Sequence, residues 1–390
     1  MDSKEKTLKN PAIIIGDWHF NSLGLIRSLG EQGIPCYFIN MSNGGYGEDS
    51  KYTIKTIRAF DEKAVIEAIC SVAGTQSLPS LLFPSSDLAA LYIDRNRSLL
   101  EKNCICPGTK GNIEHIMDKS VMCEAAKKAG FNIPNGKTVE LDEKGKEFIK
   151  NYSLPFLIKP LLSVEGKKAD IVVCRTNEDV EKALQFFYSN ESIYSHVLVQ
   201  DFVEGKNNLM IDYSGCKIPG KRLFMFGQLE KIREYPANRG STSFSIIKNE
   251  ITYIDFETVD RFLDSIDFDG IFDLDIKLVD GVPYFIEINL RNGASSYAFT
   301  AGGFNMALVW YNAKLGIEIP TVHFKNVYMM SERDDLNNVI DKNISIFKWL
   351  SDVRKTNVMM IFNRKDPQPF IRAYNSIVNK VLSIIGKKLR

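Results

Sequence analysis

The sequence predicts an α/β and α+β fold, in which a Rossmann-like N-terminal domain precedes a larger body of alternating strands and helices. Two observations support this prediction. The chain opens with a β-α-β pattern: an apolar run over residues 12–16, a helical pattern, and a second apolar run over residues 36–39. Much later, residues 272–289 form two alternating arms around an Asp280-Gly281 pair, which predicts an antiparallel hairpin.

The first 108 residues are predicted to form the Rossmann-like domain, which ends at a Pro-Gly pair. Its β-α-β opening implies a parallel sheet whose ligands bind beyond the carboxyl ends of the strands. A further apolar run, residues 81–84, precedes Ser85, Ser86 and Asp87, which either cap a helix or bind a ligand. The loops around Asn21 and Ser85 are expected to select a substrate.

Composition indicates a globular protein that acts on small molecules. The 390 residues are 44% hydrophobic and 25% charged, which suits about two or three domains. The 49 basic and 48 acidic side chains nearly balance, so global charge gives no support for a nucleic-acid partner. Small-molecule chemistry is therefore the expected class.

The cysteines and the apolar runs predict a cytoplasmic protein. Seven scattered cysteines form no C-x-x-C pair, so their spacing indicates neither a disulfide framework nor a zinc site. The opening Met-Asp-Ser-Lys-Glu-Lys lacks the apolar run of a signal peptide. No stretch reaches the roughly 18 apolar residues of a membrane-spanning helix.

Oxygen-bearing side chains gather on one face of the predicted hairpin. Side chains alternate along a strand, so Asp275 on the first arm and Glu287 and Asn289 on the second lie opposite the apolar faces. These faces coincide only if the loop has an odd length, which predicts a three-residue loop with a left-handed glycine. Such a cluster suits Mg²⁺ bound together with phosphate, and the alternative is a solvated outer face. The apolar face is predicted to hold Phe272, Leu274, Ile276, Leu278, Tyr284, Ile286 and Ile288.

The order of these residues resembles a known family. An acid at Asp275, followed twelve residues later by Glu287, Asn289 and Arg291 as Glu-x-Asn-x-Arg, is similar to the metal-binding end of the ATP-grasp superfamily. Biotin carboxylase, carbamoyl-phosphate synthetase and D-alanine ligase are members. The resemblance implies four parts: a pre-ATP-grasp domain (1–108), a small subdomain (109–195), a large subdomain with the metal site (196–318), and a C-terminal extension (319–390).

Landmarks of nucleotide binding appear upstream in the family's order. Lys119 and Lys159 match the two lysines that contact ATP phosphates in the family. The segment from Gln200 to Val203 resembles the hinge that holds adenine through its backbone, and Asn207 stands where some members place a ribose-binding glutamate. The family's phosphate flap is rich in glycine, whereas residues 161–168 contain one glycine. The resemblance therefore assigns the following residues to ATP: Lys119, Lys159, Ser163, Lys167, Gln200, Asp201, Phe202, Val203 and Asn207.

The implied activity is that of an ATP- and Mg²⁺-dependent carboxylate–amine ligase, which forms an amide through an acyl phosphate. Two Mg²⁺ ions are expected, with Mn²⁺ as an alternative. Arg291 and Arg233 are the candidates to grip a carboxylate or acyl phosphate, and Lys159 completes the catalytic set. The substrate is expected to be an amino acid or an envelope or polysaccharide precursor. A kinase, a carboxylating synthetase and an ATP-binding regulatory protein with little catalysis remain alternatives.

The last twenty residues are basic and patterned. Apolar residues recur at helical spacing, five basic side chains occur from position 370 onwards, and acidic residues are absent there. Such a helix either lies on an anionic membrane surface or packs on the protein with a basic outer face. This tail resembles ATP-grasp proteins of polysaccharide and envelope biosynthesis, which implies peripheral contact with the inner membrane. The oligomeric state stays open.

Overall fold

A computed structural model describes residues 8–161, 170–190, 193–237 and 240–375, which build three sheets. The first sheet is parallel, as the β-α-β opening predicts, and its order is 3-2-1-4-5 in chain numbering. The order reverses between the first and fourth strands, so the crevice beyond their carboxyl ends is a topological switch point. The strands are β1 (Ala12–Gly16), β2 (Cys36–Asn40), β3 (Thr53–Arg58), β4 (Ser80–Pro84) and β5 (Cys104–Ile105); the helices are α1 (Phe20–Gly30), α2 (Glu62–Ala73), α3 (Asp87–Arg95) and α4 (Arg97–Leu100), with a 3-10 helix at Tyr46–Asp49.

The second sheet has four antiparallel strands in the order β6-β9-β7-β8 and forms a smaller layer. Helix α6 begins at an N-cap, Asp118, whose carboxylate accepts amide hydrogens, and it ends at Gly130 in the left-handed conformation, φ 109°. The last strand of this sheet lies beyond residue 195, the predicted division between subdomains. The elements are β6 (Gly136–Glu140), β7 (Phe156–Pro160), β8 (Val172–Cys174) and β9 (His196–Asp201), with α5 (Ile113–Met117), α6 (Lys119–Ala129), α7 (Glu143–Lys150) and α8 (Asn177–Tyr188).

The third sheet has eight strands and carries the predicted hairpin at its edge. Its order is β15-β14-β10-β12-β13-β16-β17, with β11 beside β10, so the residues after 319 add two strands to it. The fold class predicted from the sequence is confirmed. The elements are β10 (Asn208–Lys217), β11 (Phe224–Met225), β12 (Gln228–Tyr235), β13 (Ser241–Lys248), β14 (Gly270–Val279), β15 (Val282–Asn289), β16 (Val327–Met330) and β17 (Val358–Met359), with α9 (Phe256–Ser265), α10 (Ser296–Gly302), α11 (Met306–Lys314), α12 (Glu332–Ile340) and α13 (Ile346–Lys355).

The apolar face of the hairpin packs on helices α6 and α9. Phe272, Leu274 and Phe285 are buried in one cluster with Phe262 of α9 and Ala126 of α6. This packing holds the hairpin against the helix that begins at Lys119. The position of the hairpin relative to the start of that helix is therefore fixed. Within the described ranges, none of the helices combines the length and apolar character that crossing a bilayer requires.

A fully buried ion pair ties the C-terminal extension to the N-terminal domain. Arg27 in α1 donates to the Asp366 carboxylate at 3.0 Å and to the main-chain carbonyls of Met360 and Ile361. Both charged side chains are inaccessible to solvent. Removing one partner from such a pair leaves an uncompensated charge in the interior.

We expect Arg27→Met to lower the free energy of unfolding by about 3–5 kcal/mol, because the carboxylate of Asp366 stays buried without its cation. Urea denaturation with linear extrapolation measures this change. Arg58→Met is the control, since Arg58 pairs with Glu48 on the surface and should be nearly neutral. An equal loss in both variants would contradict the assignment.

Candidate functional site

The hairpin places its acidic residues on one face, by a different device from the predicted one. Asp275 lies directly opposite Glu287, and Asp273 opposite Asn289. The connection is the two-residue turn Asp280-Gly281, both left-handed, so the predicted three-residue loop is wrong. A bulge adds one residue to β15 between Phe285 and Glu287. This extra residue turns Glu287 to the same face as Asp275, which the two-residue turn alone would not do.

The bulge also changes which side chains face the core. Phe285 and Ile288 are buried, whereas Tyr284 and Ile286, predicted for the apolar face, are only partly buried. Phe285 pairs with Ile276 before the bulge, and Ile288 pairs with Leu274 after it. Strict alternation therefore fails over this one step, and the acidic residue Glu287 reaches the same side as Asp275.

The acidic residues repel one another strongly. Burial raises the pKa of Asp275 well above its usual range, and the charges of Asp212, Glu287 and Asp273 raise it further. Asp212 lies opposite Asp275 on β10, the strand on its other side. Such a cluster favours either protons or a cation.

The donor set suits Mg²⁺ that is shared with a phosphate. Among the described residues, no three His, Cys, Asp or Glu side chains form a closed ligand set. Mg²⁺ is usually held by one or two carboxylates plus phosphate oxygens and water rather than by a complete protein cage. Asp275 and Glu287, with the amide oxygen of Asn289 nearby, fit that mode of binding.

Two lysines, one on the smaller sheet and one at the start of α6, interact with the charge of Glu287. Lys159, near the end of β7, is 6% exposed, and it makes no ion pair with any residue the structure describes. Burial lowers its pKa, and the charges of Cys123 and Glu287 oppose this effect. An ammonium group buried without an ion-pair partner suggests an anionic ligand.

Lys119, at the first position of α6, belongs to the same group. Burial lowers its pKa, Glu287 opposes the change, and the charge of Lys159 adds to it. Its ammonium lies 3.5 Å from the carbonyl of Leu161, where the predicted phosphate flap begins. Both lysines therefore interact with the charge of Glu287, and Lys119 also with that of Lys159. Ser163 and Lys167 lie outside the described residues, and their roles stay predictions.

The predicted adenine hinge is held firmly by backbone contacts. The amide of Asp201 donates to the Asn135 carbonyl at 2.8 Å, and the amide of Phe202 donates to the Pro155 carbonyl at 3.1 Å. The side chain of Gln200 donates to a neighbouring carbonyl at 3.0 Å and is buried. These three donors already bond within the protein. Only the remaining backbone groups of the hinge could therefore bond to a base.

The end of the hinge is held to strand β14 by a side-chain contact. Lys277 of β14 donates to the Val203 carbonyl at 2.7 Å, and its ammonium lies 4.5 Å from the ring centre of Phe202. The amide of Val203 makes no hydrogen bond to a described residue. Asn207, predicted to contact ribose, has an exposed side chain, and its amide donates to the carboxylate of Asp280 at 2.9 Å. Roles in nucleotide binding stay predictions for these residues.

Arg291 joins the end of strand β15 to the N-terminal domain. Its guanidinium donates to the Asp87 carboxylate at 3.0 Å, to the amide oxygen of Asn289 at 2.9 Å and to the carbonyl of Asn292 at 3.2 Å. Asp87 is the first residue of α3, just beyond the carboxyl end of β4. The capping interpretation of this segment is confirmed, because Ser86 caps the helix, whereas ligand binding by these residues stays a prediction.

Residues missed by the sequence analysis lock this junction. Asn292 is buried, and its carbonyl accepts from the side chain of Asn21 at 2.9 Å. Asn21 also donates to the Ser85 carbonyl at 2.7 Å, and the hydroxyls of Ser22 and Ser85 lie 2.7 Å apart. The loops after β1 and β4 were expected to form a site. Their contact with Asn292 depends on tertiary packing, so no local sequence pattern indicates it.

Arg233 has a different environment from the one predicted. Its guanidinium binds both oxygens of Asp335, at 3.0 and 2.8 Å, and one oxygen of Asp352 at 2.7 Å. It also lies 4.5 Å from the ring centre of Phe244. These contacts with α12 and α13 occupy the fork of the guanidinium, which favours a structural role in anchoring the C-terminal extension over the predicted catalytic one.

Comparison with known proteins finds two ligases among the relatives of this chain. The chain is 26% identical over 278 residues to a D-aspartate ligase of Enterococcus faecium, covering 65% of this chain and 64% of that one. It is 25% identical over 174 residues to a D-alanine–D-alanine ligase of Flavobacterium psychrophilum, covering 42% and 52%. It thus spans less than two thirds of each of these relatives.

The fold also has solved counterparts. An N5-carboxyaminoimidazole synthetase from Staphylococcus aureus complexed with ADP matches 86% of this chain and 87% of its own, with a TM-score of 0.65 at 18% identity. No protein-family model matches the chain. The ligase relatives and the structural match point to the ATP-grasp superfamily.

Proposed function

We propose that the chain is an ATP- and Mg²⁺-dependent carboxylate–amine ligase. ATP would phosphorylate a carboxylate oxygen and leave as ADP. An amine would then attack the carbonyl carbon of the acyl phosphate, expel phosphate, lose a proton and form an amide. The main support is that buried Lys159 and partly buried Lys119 both lie close enough to the Glu287 carboxylate to interact with its charge.

The metal would be held by the hairpin. Asp275, Glu287 and Asn289 are the proposed ligands of two Mg²⁺ ions, with Mn²⁺ as an alternative, and the amide oxygen of Asn289 keeps one lone pair beyond its contact with Arg291. Bound Mg²⁺ supplies charge neutralisation for the phosphate chain. Burial and then the neighbouring carboxylates raise the pKa of Asp275, and a cation would relieve the part that comes from repulsion, which supports this assignment.

The remaining nucleotide contacts are proposed from the positions of the other candidate residues in the sequence. Lys119 and Lys159 would bind phosphate oxygens as point charges, with Ser163 and Lys167 as further proposed contacts. The backbone from Gln200 to Val203 would hold the base, with the amide of Val203 as a donor and Asp201 and Phe202 beside it. Asn207 remains the proposed ribose contact.

Arg291 is the proposed residue for orienting the carboxylate. A guanidinium has five N–H groups, and three of them donate to acceptors among the described residues. The other two belong to its two terminal nitrogens, which can bind a carboxylate or acyl phosphate in the bidentate mode. Arg291 also lies at the switch point of the first sheet, where the N-terminal loops would bind the acid.

The relatives suggest the class of substrate. The D-aspartate ligase and the D-alanine–D-alanine ligase are named for amino-acid carboxylates. We therefore propose an amino acid, free or within an envelope precursor, as one of the two substrates. A kinase or carboxylating synthetase differs only in the acceptor, and a regulatory ATP-binding protein differs in the absence of turnover.

ADP release across pools of acids and amines tests the proposal. The pools contain D- and L-amino acids and amino or carboxylated sugars, and mass spectrometry identifies the product. A ligase gives ADP only when an acid and an amine are both present, and the product has lost one water. ADP with bicarbonate alone, a phosphorylated product, or ATP binding in calorimetry without ADP would each contradict it.

A further inference from the structure

Two consecutive helices of the C-terminal extension turn their polar sides toward the protein. In α12 the buried side chains are Asp335 and Asn338. In α13, which the structure describes completely, Asp352 is the one buried side chain. An ordinary surface helix buries its apolar stripe and exposes its polar one, so the polarity of this pair is inverted.

The inversion is fixed by strong contacts. Arg233 binds Asp335 and Asp352 together, and the hydroxyl of Ser243 donates to Asp335 at 2.8 Å. Lys348 also binds Asp352 at 2.8 Å within α13. Rotating either helix to bury its apolar side would break these buried ion pairs, which is costly.

The outward faces of the two helices form an apolar surface, here called the outer patch. Phe347 is 81% exposed and Ile340 is 67% exposed, although burying side chains of this size contributes about 1.5–3 kcal/mol each. Exposed apolar side chains of this size on two neighbouring helices suit an interaction surface. The outer patch consists of Leu336, Ile340, Ile346, Phe347 and Leu350.

Basic charge is concentrated in the same part of the chain. From the start of α12, residues 332–390 contain twelve basic and six acidic side chains, although the whole chain carries 49 and 48. Of those six acids, Asp335, Asp352 and Asp366 are buried in ion pairs. Lys342, Arg354 and Lys355, next to the outer patch, are exposed. Apolar and basic side chains side by side suit a surface that is both apolar and anionic.

We propose that the outer patch docks the protein on an anionic lipid surface. The apolar side chains would enter the region between headgroups and acyl chains, and the neighbouring lysines and arginines would contact acidic headgroups. A second copy of the chain is disfavoured as the occupant, because two such basic surfaces repel each other. The proposal concerns a site far in sequence from the hairpin and stands apart from the proposed reaction.

Sedimentation of the full chain with vesicles tests this proposal. The vesicles contain either phosphatidylcholine alone or phosphatidylcholine with phosphatidylglycerol. We expect binding to the anionic vesicles that weakens with salt. The double variant Phe347→Ser, Leu350→Ser should bind them about tenfold or more weakly, because it loses two inserted side chains. Arg354→Glu with Lys355→Glu should weaken binding about tenfold or more as well.

The matched control is Phe60→Ser, since Phe60 is also an exposed phenylalanine, 59% accessible, but lies in the N-terminal domain. It should bind vesicles as the natural chain does, and all variants should keep the natural melting temperature. Equal binding by the Phe347, Leu350 variant, or equal binding to neutral vesicles, overturns the proposal. A dimer in light scattering that this variant abolishes also overturns it, because a second copy would then cover the outer patch.

Discussion

Glu287→Gln is expected to lower Mg²⁺-dependent ATP turnover about a thousandfold, or roughly 4 kcal/mol of activation free energy. The amide keeps the shape of the side chain but lacks the charge that would hold a cation together with Asp275. Glu287 is also the shared neighbour of Lys119 and Lys159, so its loss disturbs both halves of the site. Steady-state ADP release over a range of MgCl₂ measures the effect.

The control for this variant is Glu250→Gln, an exposed glutamate in the loop after β13. It should leave turnover unchanged, and both variants should show the natural circular dichroism spectrum. If Glu287→Gln retained full turnover at low MgCl₂, the hairpin would not be the metal site.

The same acidic cluster predicts a dependence of stability on pH. Because the pKa of Asp275 is raised in the folded state, folding favours its protonated form. Stability is therefore present at low pH and lost as pH rises from the unfolded value, about 3.9, through the raised folded value. At pH 8 without metal, Asp275→Asn should thus be more stable than the natural chain by about 1–2 kcal/mol. MgCl₂ should stabilise the natural chain more than the variant.

Lys159→Met is expected to reduce turnover about 100- to 1,000-fold without lowering stability. The methionine fills a similar volume, and it removes an ammonium group whose burial already lowers its pKa. Phosphoryl transfer depends largely on positioning and charge neutralisation, so the loss should fall on kcat rather than on folding. Single-turnover kinetics and thermal unfolding separate the two effects.

Lys217 provides a matched control within the same chain. It is also a buried lysine, but it forms ion pairs with Asp260 at 2.6 Å and Asp264 at 2.7 Å. Lys217→Met should therefore lose stability and keep turnover, the opposite of Lys159→Met. A similar loss of stability in both variants would indicate that Lys159 is only a structural residue.

The hairpin shows what local sequence patterns can predict. Alternation along the two arms and the Asp-Gly pair were sufficient to predict the hairpin, but the shared face of Asp275 and Glu287 depends on the bulge. The bulge before Glu287 could not be predicted, because the alternating pattern of Tyr284, Ile286 and Ile288 is equally compatible with a regular strand. The bulge depends on how Phe285 packs against α6 and α9, which is a property of the assembled core.

Long-range ion pairs mark the limit of the sequence analysis. Arg233 has the right charge and a plausible position for catalysis, but its partners Asp335 and Asp352 lie 102 and 119 residues further along the chain. Lys159 had a family motif to identify it, whereas Asn292 and Asp212 had none. Charge alone therefore does not separate a residue that binds a ligand from one that joins two domains.

The contact between Lys277 and Val203 fixes the position of the hinge along strand β14. Lys277 and Asp275 lie two residues apart on the same side of the strand, about 7 Å along its axis. If the base is held at Val203, one rigid strand sets the spacing between the two ends of the nucleotide. A nucleoside monophosphate bound at Val203 would then not reach Asp275. The spacing along the strand would therefore let the protein distinguish nucleotides by their number of phosphates.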